Sequence, residues 1–98
     1  MEGNDPGLIK AKLSQEFEIR LRSIPSSGYI WQVEACHESL SLIDVIYEQI
    51  APQTVGGNVD QIFRFRASAK GSYVVTFVLK RTWEPSALES RRFIVEVN

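Results

Sequence analysis

Apolar and polar side chains alternate along most of this chain, a period of two that is typical of β-strands with one buried face. Five stretches follow the pattern and place these residues on one face: Phe17, Ile19 and Leu21; Tyr29, Trp31, Val33 and Ala35; Phe63, Phe65 and Ala67; Tyr73, Val75, Phe77 and Leu79; Phe93, Val95 and Val97. A lone sheet would leave its apolar side in water, so these faces need a second sheet against them. The pattern therefore predicts an all-β sandwich of about seven strands.

The segment from Leu40 to Ile50 is a long apolar stretch whose structure the pattern leaves open. Its apolar residues have a spacing that also suits a helix. β-Branched residues are frequent in it, and it runs into Ala51-Pro52, which favours a strand for its first half. Strand and helix both stay open for residues 43–50.

The length of 98 residues predicts a single domain with one hydrophobic core. The first residues are acidic and contain glycine and proline, so we expect a flexible lead-in over residues 1–12 and a folded domain over residues 13–98. Because the chain has one cysteine, the core must form without an intrachain disulfide.

The single cysteine and the single histidine leave little room for catalytic or metal-binding chemistry. Cys36 and His37 are adjacent, and neighbouring side chains of a strand point to opposite faces, so we do not expect them to share a proton. A small, buried or edge cysteine beside a surface histidine is the better interpretation. A zinc site needs several Cys or His ligands. The sequence therefore predicts a protein that is not an enzyme, with no metal site and no cofactor.

Charge and hydropathy argue against two classes of partner. The formal net charge is −1, so the chain lacks the basic field of a nucleic-acid-binding protein. Arg64 and Arg66 alternate with Phe63 and Phe65, which puts charge and rings on opposite faces and predicts a solvated face. No stretch approaches the roughly 18 apolar residues of a membrane span. We expect no nucleic acid and no membrane contact.

The location of the protein stays open: cytoplasmic for the sequence as it stands, periplasmic or secreted if an export signal was removed.

Three segments between predicted strands suit binding, since function on a β-sandwich usually lies in its loops. The first combines a proline, two hydroxyl groups and a glycine, the second a pair of glycines, and the third a cation with a large aromatic residue. They are residues 24–29, residues 53–58 and residues 81–85. Taken singly, the first two also suit plain turns. Trp31 and Tyr29 suit the core.

These segments, in this order and on this strand pattern, resemble the chagasin-type inhibitors of papain-like cysteine peptidases. That family's motifs are Asn-Pro-Thr-Thr-Gly-Tyr/Phe with Trp two residues later, then Gly-x-Gly-Gly, then Arg-Pro-Trp/Phe. The chain has Ile24-Pro25-Ser26-Ser27-Gly28-Tyr29 followed by Trp31, then Thr54-Val55-Gly56-Gly57, then Arg81-Thr82-Trp83. The resemblance spans Leu13 to Val97.

The resemblance implies an immunoglobulin-like sandwich that blocks a papain-like cysteine peptidase reversibly and without a covalent bond. The first loop would lie nearest the catalytic centre of the peptidase, and the second and third loops would contact the two walls of its cleft. The implied peptidase-binding residues are Pro25, Ser26, Ser27, Gly28, Tyr29, Thr54, Gly56, Gly57, Arg81, Thr82 and Trp83. The inhibitor would act as a monomer.

The chain departs from the family motifs most clearly at Ile24, Thr54 and Thr82. Thr82 stands where the family has proline, so the backbone of the loop that carries Trp83 is less restrained. An alternative function is an immunoglobulin-like adhesion or structural module that shares only the sandwich, because a fold does not by itself imply a function.

Overall fold

The computed structural model describes residues 7–23, 27–49 and 59–98 and folds them into seven β-strands in two facing sheets. The strands are β1 (Gly7–Ala11), β2 (Glu16–Ser23), β3 (Ile30–Cys36), β4 (Leu40–Gln49), β5 (Val59–Ala67), β6 (Gly71–Lys80) and β7 (Glu89–Val97). One sheet has the order β1-β7-β6-β3 and the other the order β2-β5-β4. Neighbouring strands are antiparallel except β1 and β7, which are parallel. The predicted all-β sandwich of about seven strands is confirmed.

The inward faces of the two sheets form the core that the alternation predicts. Phe65 of β5 and Phe77 of β6 are fully buried, and their ring centroids lie 6.4 Å apart in an edge-on arrangement. Phe63 approaches the same Phe77 ring at 4.8 Å. The other buried apolar residues of this cluster are Ala11, Ile19, Leu21, Trp31, Leu40, Ala67, Val75, Val95 and Val97. Because each aromatic side chain buries roughly 150–250 Å², the phenylalanines supply much of the hydrophobic stabilisation.

The predicted flexible lead-in is wrong for its second half, because residues 7–11 form β1. Gly7 lies opposite Phe93, and Ala11 lies opposite Val97. Pairing with β7 and burial of Ala11 in the core order a segment whose own pattern is too short to predict a strand. Gly7 allows the close approach: a Cβ there would lie 2.6 Å from the Phe93 ring.

β4 is a strand throughout, from Leu40 to Gln49, so the structure resolves the choice between strand and helix for residues 43–49. Ile50 lies outside the described residues. In β3 the register against β6 shifts between Val33 and Ala35. An irregularity of this kind interrupts the alternation of side chains. Ala35 is therefore exposed, which corrects its predicted place on the buried face.

The outer face of β2, β5 and β4 carries ion pairs. The guanidinium of Arg64 lies between two carboxylates, 3.6 Å from Glu16 Oε1 and 2.9 Å from Asp44 Oδ1. Arg20 donates a hydrogen bond to Glu48 at 2.9 Å, and this bond raises the pKa of Arg20. Exposed pairs of this kind contribute little to stability one by one. They form the charged, solvated face that the alternation around Arg64 predicts.

Candidate functional site

The three candidate segments leave from strand ends that lie side by side. β2 ends at Ser23, β4 ends at Gln49 and β5 begins at Val59, and these three residues are neighbours across one sheet. In the other sheet β3 begins at Ile30, opposite Lys80, where β6 ends. The chain therefore enters and leaves residues 24–29, 50–58 and 81–88 at one end of each sheet.

Trp31 connects these two sets of strand ends. Its side chain is 4% exposed, and its indole Nε1 donates a hydrogen bond to the carbonyl oxygen of Arg22, at the end of β2. Its backbone is hydrogen-bonded to the side chain of Gln61 in β5, so two of the three strands of the opposite sheet, β2 and β5, hold it. The connections of the two sheets consequently start from one shared, rigid base. Trp31 belongs to the core, as the sequence predicts.

The described part of the first loop, residues 27–29, makes a tight turn into β3. Gly28 has a φ of +87°, in the left-handed region that favours glycine. Tyr29 N donates a hydrogen bond to Ser27 Oγ at 3.2 Å, and this side-chain-to-backbone bond stabilises the turn. Serine and glycine are suited to such a turn, because one supplies the acceptor and the other the backbone conformation.

Arg81 ties this turn to the third loop. Its Cζ lies 4.4 Å from the centroid of the Tyr29 ring and 5.8 Å from that of the Trp83 ring. Arg81 Nε donates to the carbonyl oxygen of Ser27 at 3.3 Å, and Nη1 lies 3.6 Å from Glu84 Oε2. A guanidinium attracts aromatic faces through its charge and donates hydrogen bonds in its plane, so one side chain can make all of these contacts.

Trp83 stands out from the surface at this end. It is 69% exposed, the largest exposed fraction among the large apolar side chains described. It also lies close to the first loop: a Cβ on Gly28 would be 3.0 Å from Trp83 Cη2. The glycine therefore gives the indole ring room to lie against the turn. An exposed tryptophan on a braced loop is a typical anchor of a protein–protein interface.

The structure brings together five of the predicted binding residues and leaves others outside the described ranges. Those placed together are Ser27, Gly28, Tyr29, Arg81 and Trp83. Thr82 follows Arg81 and is exposed. Pro25, Ser26, Thr54, Gly56 and Gly57 lie outside the described residues, so for them the sequence prediction stands as it was.

Two features of the site escape sequence reasoning. Gln61 interrupts the apolar residues of β5 and is 1% exposed, yet the sequence does not show which backbone it meets. Residues 84–88 line a shallow depression with Tyr29, in which Pro85 and Leu88 supply apolar surface. A buried amide in an apolar strand is the signal that points to Gln61, since buried polar groups need partners.

The other reactive side chains lie at the far end of the sandwich. Cys36 is half-buried at the end of β3, and burial raises the pKa of its thiol. His37 is exposed, accepts a hydrogen bond from Ser39 N on Nδ1 and lies with its ring centroid 4.6 Å from that of Tyr73. Over residues 7–23, 27–49 and 59–98 there is no cluster of metal-ligating side chains. The same ranges contain no helix long and apolar enough to cross a membrane.

Comparison with known proteins gives a family and several structural relatives. Residues 10–97 match the family described as "Chagasin family peptidase inhibitor I42". Amoebiasin-1 from Entamoeba histolytica is 27% identical over 97 residues, which cover 99% of this chain and 94% of that protein.

Solved structures show the same sandwich. The cysteine protease inhibitor EhICP2 from Entamoeba histolytica has a TM-score of 0.79 at 22% identity, covering 99% of this chain and 91% of that one. PbICP-C, solved in complex with falcipain-2, has a TM-score of 0.59 at 14% identity, covering 97% of this chain and 91% of that one. At these identities the likeness concerns the fold.

Proposed function

Because this chain belongs to the chagasin family of peptidase inhibitors, we propose that it inhibits papain-like cysteine peptidases by blocking their active-site cleft with the loop end of the sandwich. The family match confirms the resemblance seen in the sequence and bears out the prediction of an inhibitor rather than an enzyme. Two structural relatives fit the peptidase class: EhICP2 is named a cysteine protease inhibitor, and PbICP-C was solved in complex with falcipain-2.

The observation that carries the proposal is the exposed Trp83 beside the Ser27–Gly28 backbone. The two loops that carry them are linked through Arg81, and Trp31 anchors the base of the first loop to both sheets. A binding surface that is ordered before association loses little conformational entropy when it binds. Buried tryptophan anchors commonly contribute about 2 kcal/mol or more to an interface.

The proposed contact surface keeps the eleven residues that the family resemblance implies. Ser26, Ser27 and Gly28 would lie nearest the catalytic centre, and Pro25 and Tyr29 of the same loop would also contact the peptidase. Thr54, Gly56 and Gly57 would contact one wall of the cleft, and the third loop the other. Thr82 and Trp83 are exposed for that contact. Inhibition would be steric, reversible and non-covalent, as the family resemblance implies.

The direct experiment is a titration of papain and a cathepsin L-like peptidase with the intact chain. We expect tight, competitive inhibition that is lost on dilution, with unchanged intact masses of both proteins. Val74→Ala serves as a control variant, because Val74 is 49% exposed on β6, away from the loop end. It should inhibit like the unmodified chain. The proposal fails if several papain-like peptidases keep full activity at micromolar inhibitor, and the adhesion or structural module then becomes the better hypothesis.

A further inference from the structure

Arg81 makes several contacts inside the protein. Its Nε donates to Ser27 O at 3.3 Å, its Nη1 lies 3.6 Å from Glu84 Oε2, and its Cζ lies over two aromatic rings at 4.4 Å and 5.8 Å. Its side chain is 34% exposed. A cation that faces a carboxylate, a carbonyl oxygen and two rings has part of its charge offset inside the protein, so it attracts a partner protein less strongly.

The contacts of Arg81 join the two loops that the proposed function depends on. Ser27 and Tyr29 lie on one side of it, and Trp83 and Glu84 are on its own loop. Gly28 lies close to both residues of the third loop, since a Cβ there would be 3.0 Å from Trp83 Cη2 and in ordinary contact with Arg81 Cγ at 3.5 Å. The side chain therefore contacts both the indole of Trp83 and the Ser27–Tyr29 turn.

Thr82, the residue after Arg81, makes the contacts of Arg81 important for the third loop. Thr82 is not a proline, so the ring that would restrain the backbone φ immediately before Trp83 is missing. A loop with a freer backbone loses more entropy when it becomes ordered on binding. Contacts from a side chain can supply the missing restraint, and the side chain of Arg81 contacts both loops.

We propose that Arg81 is a positioning residue, which holds Trp83 and the Ser27–Tyr29 turn in one arrangement before the peptidase arrives and does not bind the peptidase through its charge. This inference rests on the proposed function and revises the sequence expectation that Arg81 itself engages the cleft wall. It makes the shape of the guanidinium essential, because an ammonium group lacks both the planar surface and the Nε donor.

The test compares Arg81→Lys with Arg81→Ala. Lysine keeps the charge but loses the planar contacts, so both variants should lose inhibition of papain by at least tenfold, about 1.4 kcal/mol. Arg66→Ala is the matched control. Arg66 is a half-exposed arginine of β5, far from the loops, and it pairs with Glu16 at 3.0 Å. Inhibition by this variant should stay unchanged. Thermal unfolding of each variant checks that the fold is intact.

A second readout on the free protein separates positioning from direct contact. The amide signal of Gly28 and the indole signal of Trp83 in ¹H–¹⁵N spectra should shift in both Arg81 variants without any peptidase present, and stay in place in Arg66→Ala. The inference is overturned if Arg81→Lys inhibits within about threefold of the unmodified chain while Arg81→Ala does not. Unmoved Gly28 and Trp83 signals would overturn it as well. Absence of inhibition by the unmodified chain would instead refute the proposed function. The spectra would still test whether Arg81 positions Trp83 and the Ser27–Tyr29 turn.

Discussion

Gln61 of β5 and Trp31 of β3 are joined by two hydrogen bonds that cross from one sheet to the other. Trp31 N donates to Gln61 Oε1 at 2.8 Å, and Gln61 Nε2 donates to the carbonyl oxygen of Trp31 at 3.1 Å. β3 is an edge strand of its sheet, so the amide side chain serves as the partner that a further strand would otherwise provide. The pairing lies next to Ile30, where the first loop enters β3.

Replacement of Gln61 by leucine should destabilise the protein. The variant leaves the N–H and the carbonyl of Trp31 without their partner in a buried place, which costs about 1–3 kcal/mol. For a domain of this size, each 1 kcal/mol lowers the melting temperature by roughly 4–8 °C. Gln49→Leu, at an exposed position of β4, is the control and should melt like the unmodified chain. Equal melting temperatures for the two variants would show that the cross-sheet pair is dispensable.

Trp83→Ala should weaken peptidase inhibition at least tenfold and leave stability within about 0.5 kcal/mol of the unmodified chain. Stability should change little because Trp83 is 69% exposed and has little buried area to lose in the free protein. Inhibition should fall because the same exposed side chain is proposed to be buried against the peptidase. Inhibition constants and thermal unfolding measured on the same samples provide the check. A loss of stability that matches the loss of binding would mean that Trp83 supports the fold instead of the interface.

Gly28→Ala should reduce both stability and inhibition. Its φ of +87° is strained for any residue with a Cβ, at about 1–3 kcal/mol, and the added carbon would press on Trp83 Cη2. Gly71→Ala is the matched control at the far end of the sandwich, where φ is +142° and a Cβ would lie 3.0 Å from Tyr73 Oη. The control should lose stability but keep its inhibition constant. If both variants inhibit alike, the turn at Gly28 is not part of the contact.

Cys36 should react slowly with thiol reagents in the folded protein. Burial raises the pKa of its thiol, so near pH 8 a smaller fraction is thiolate than in an exposed cysteine, and the thiolate is the reactive form. The rate with a disulfide reagent should rise with pH and should increase sharply in denaturing guanidinium chloride. A rate equal to that of free cysteine under native conditions would contradict the half-buried position at the end of β3.

Much of the fold follows from the alternation, which separates apolar inward residues from charged outward ones most clearly over residues 16–22 of β2 and residues 63–67 of β5. β1 could not be predicted from the alternation. It becomes a strand by pairing with β7, which lies more than eighty residues further along the chain. The outward turn of Ala35 depends on a local shift of register that leaves the sequence pattern unchanged. Local pattern predicts strands, and it is silent on contacts between distant segments.

The candidate site shows the same division. Its location and the exposure of Trp83 were expected from the family resemblance, which depends on motifs that are local in sequence. The role of Arg81 was not, because Ser27 is 54 positions away and no pattern relates the two residues. The contact between Gln61 and Trp31 joins residues 30 positions apart and could not be predicted from the sequence either.

The parallel pairing of β1 with β7 determines how the protein can be attached to a surface. Asn98 is held at the end of the sandwich opposite Trp83, where its N–H donates to Ala11 O at 3.0 Å and its carbonyl accepts from Leu13 N at 2.9 Å. A tether or fusion partner joined after Asn98 therefore leaves the molecule away from the loops. β1 begins at Gly7, opposite Phe93, and runs toward the far end, so Gly7 lies nearer to the loops than Asn98 does. Immobilisation through the last residue is the orientation that presents Trp83 to an approaching protein.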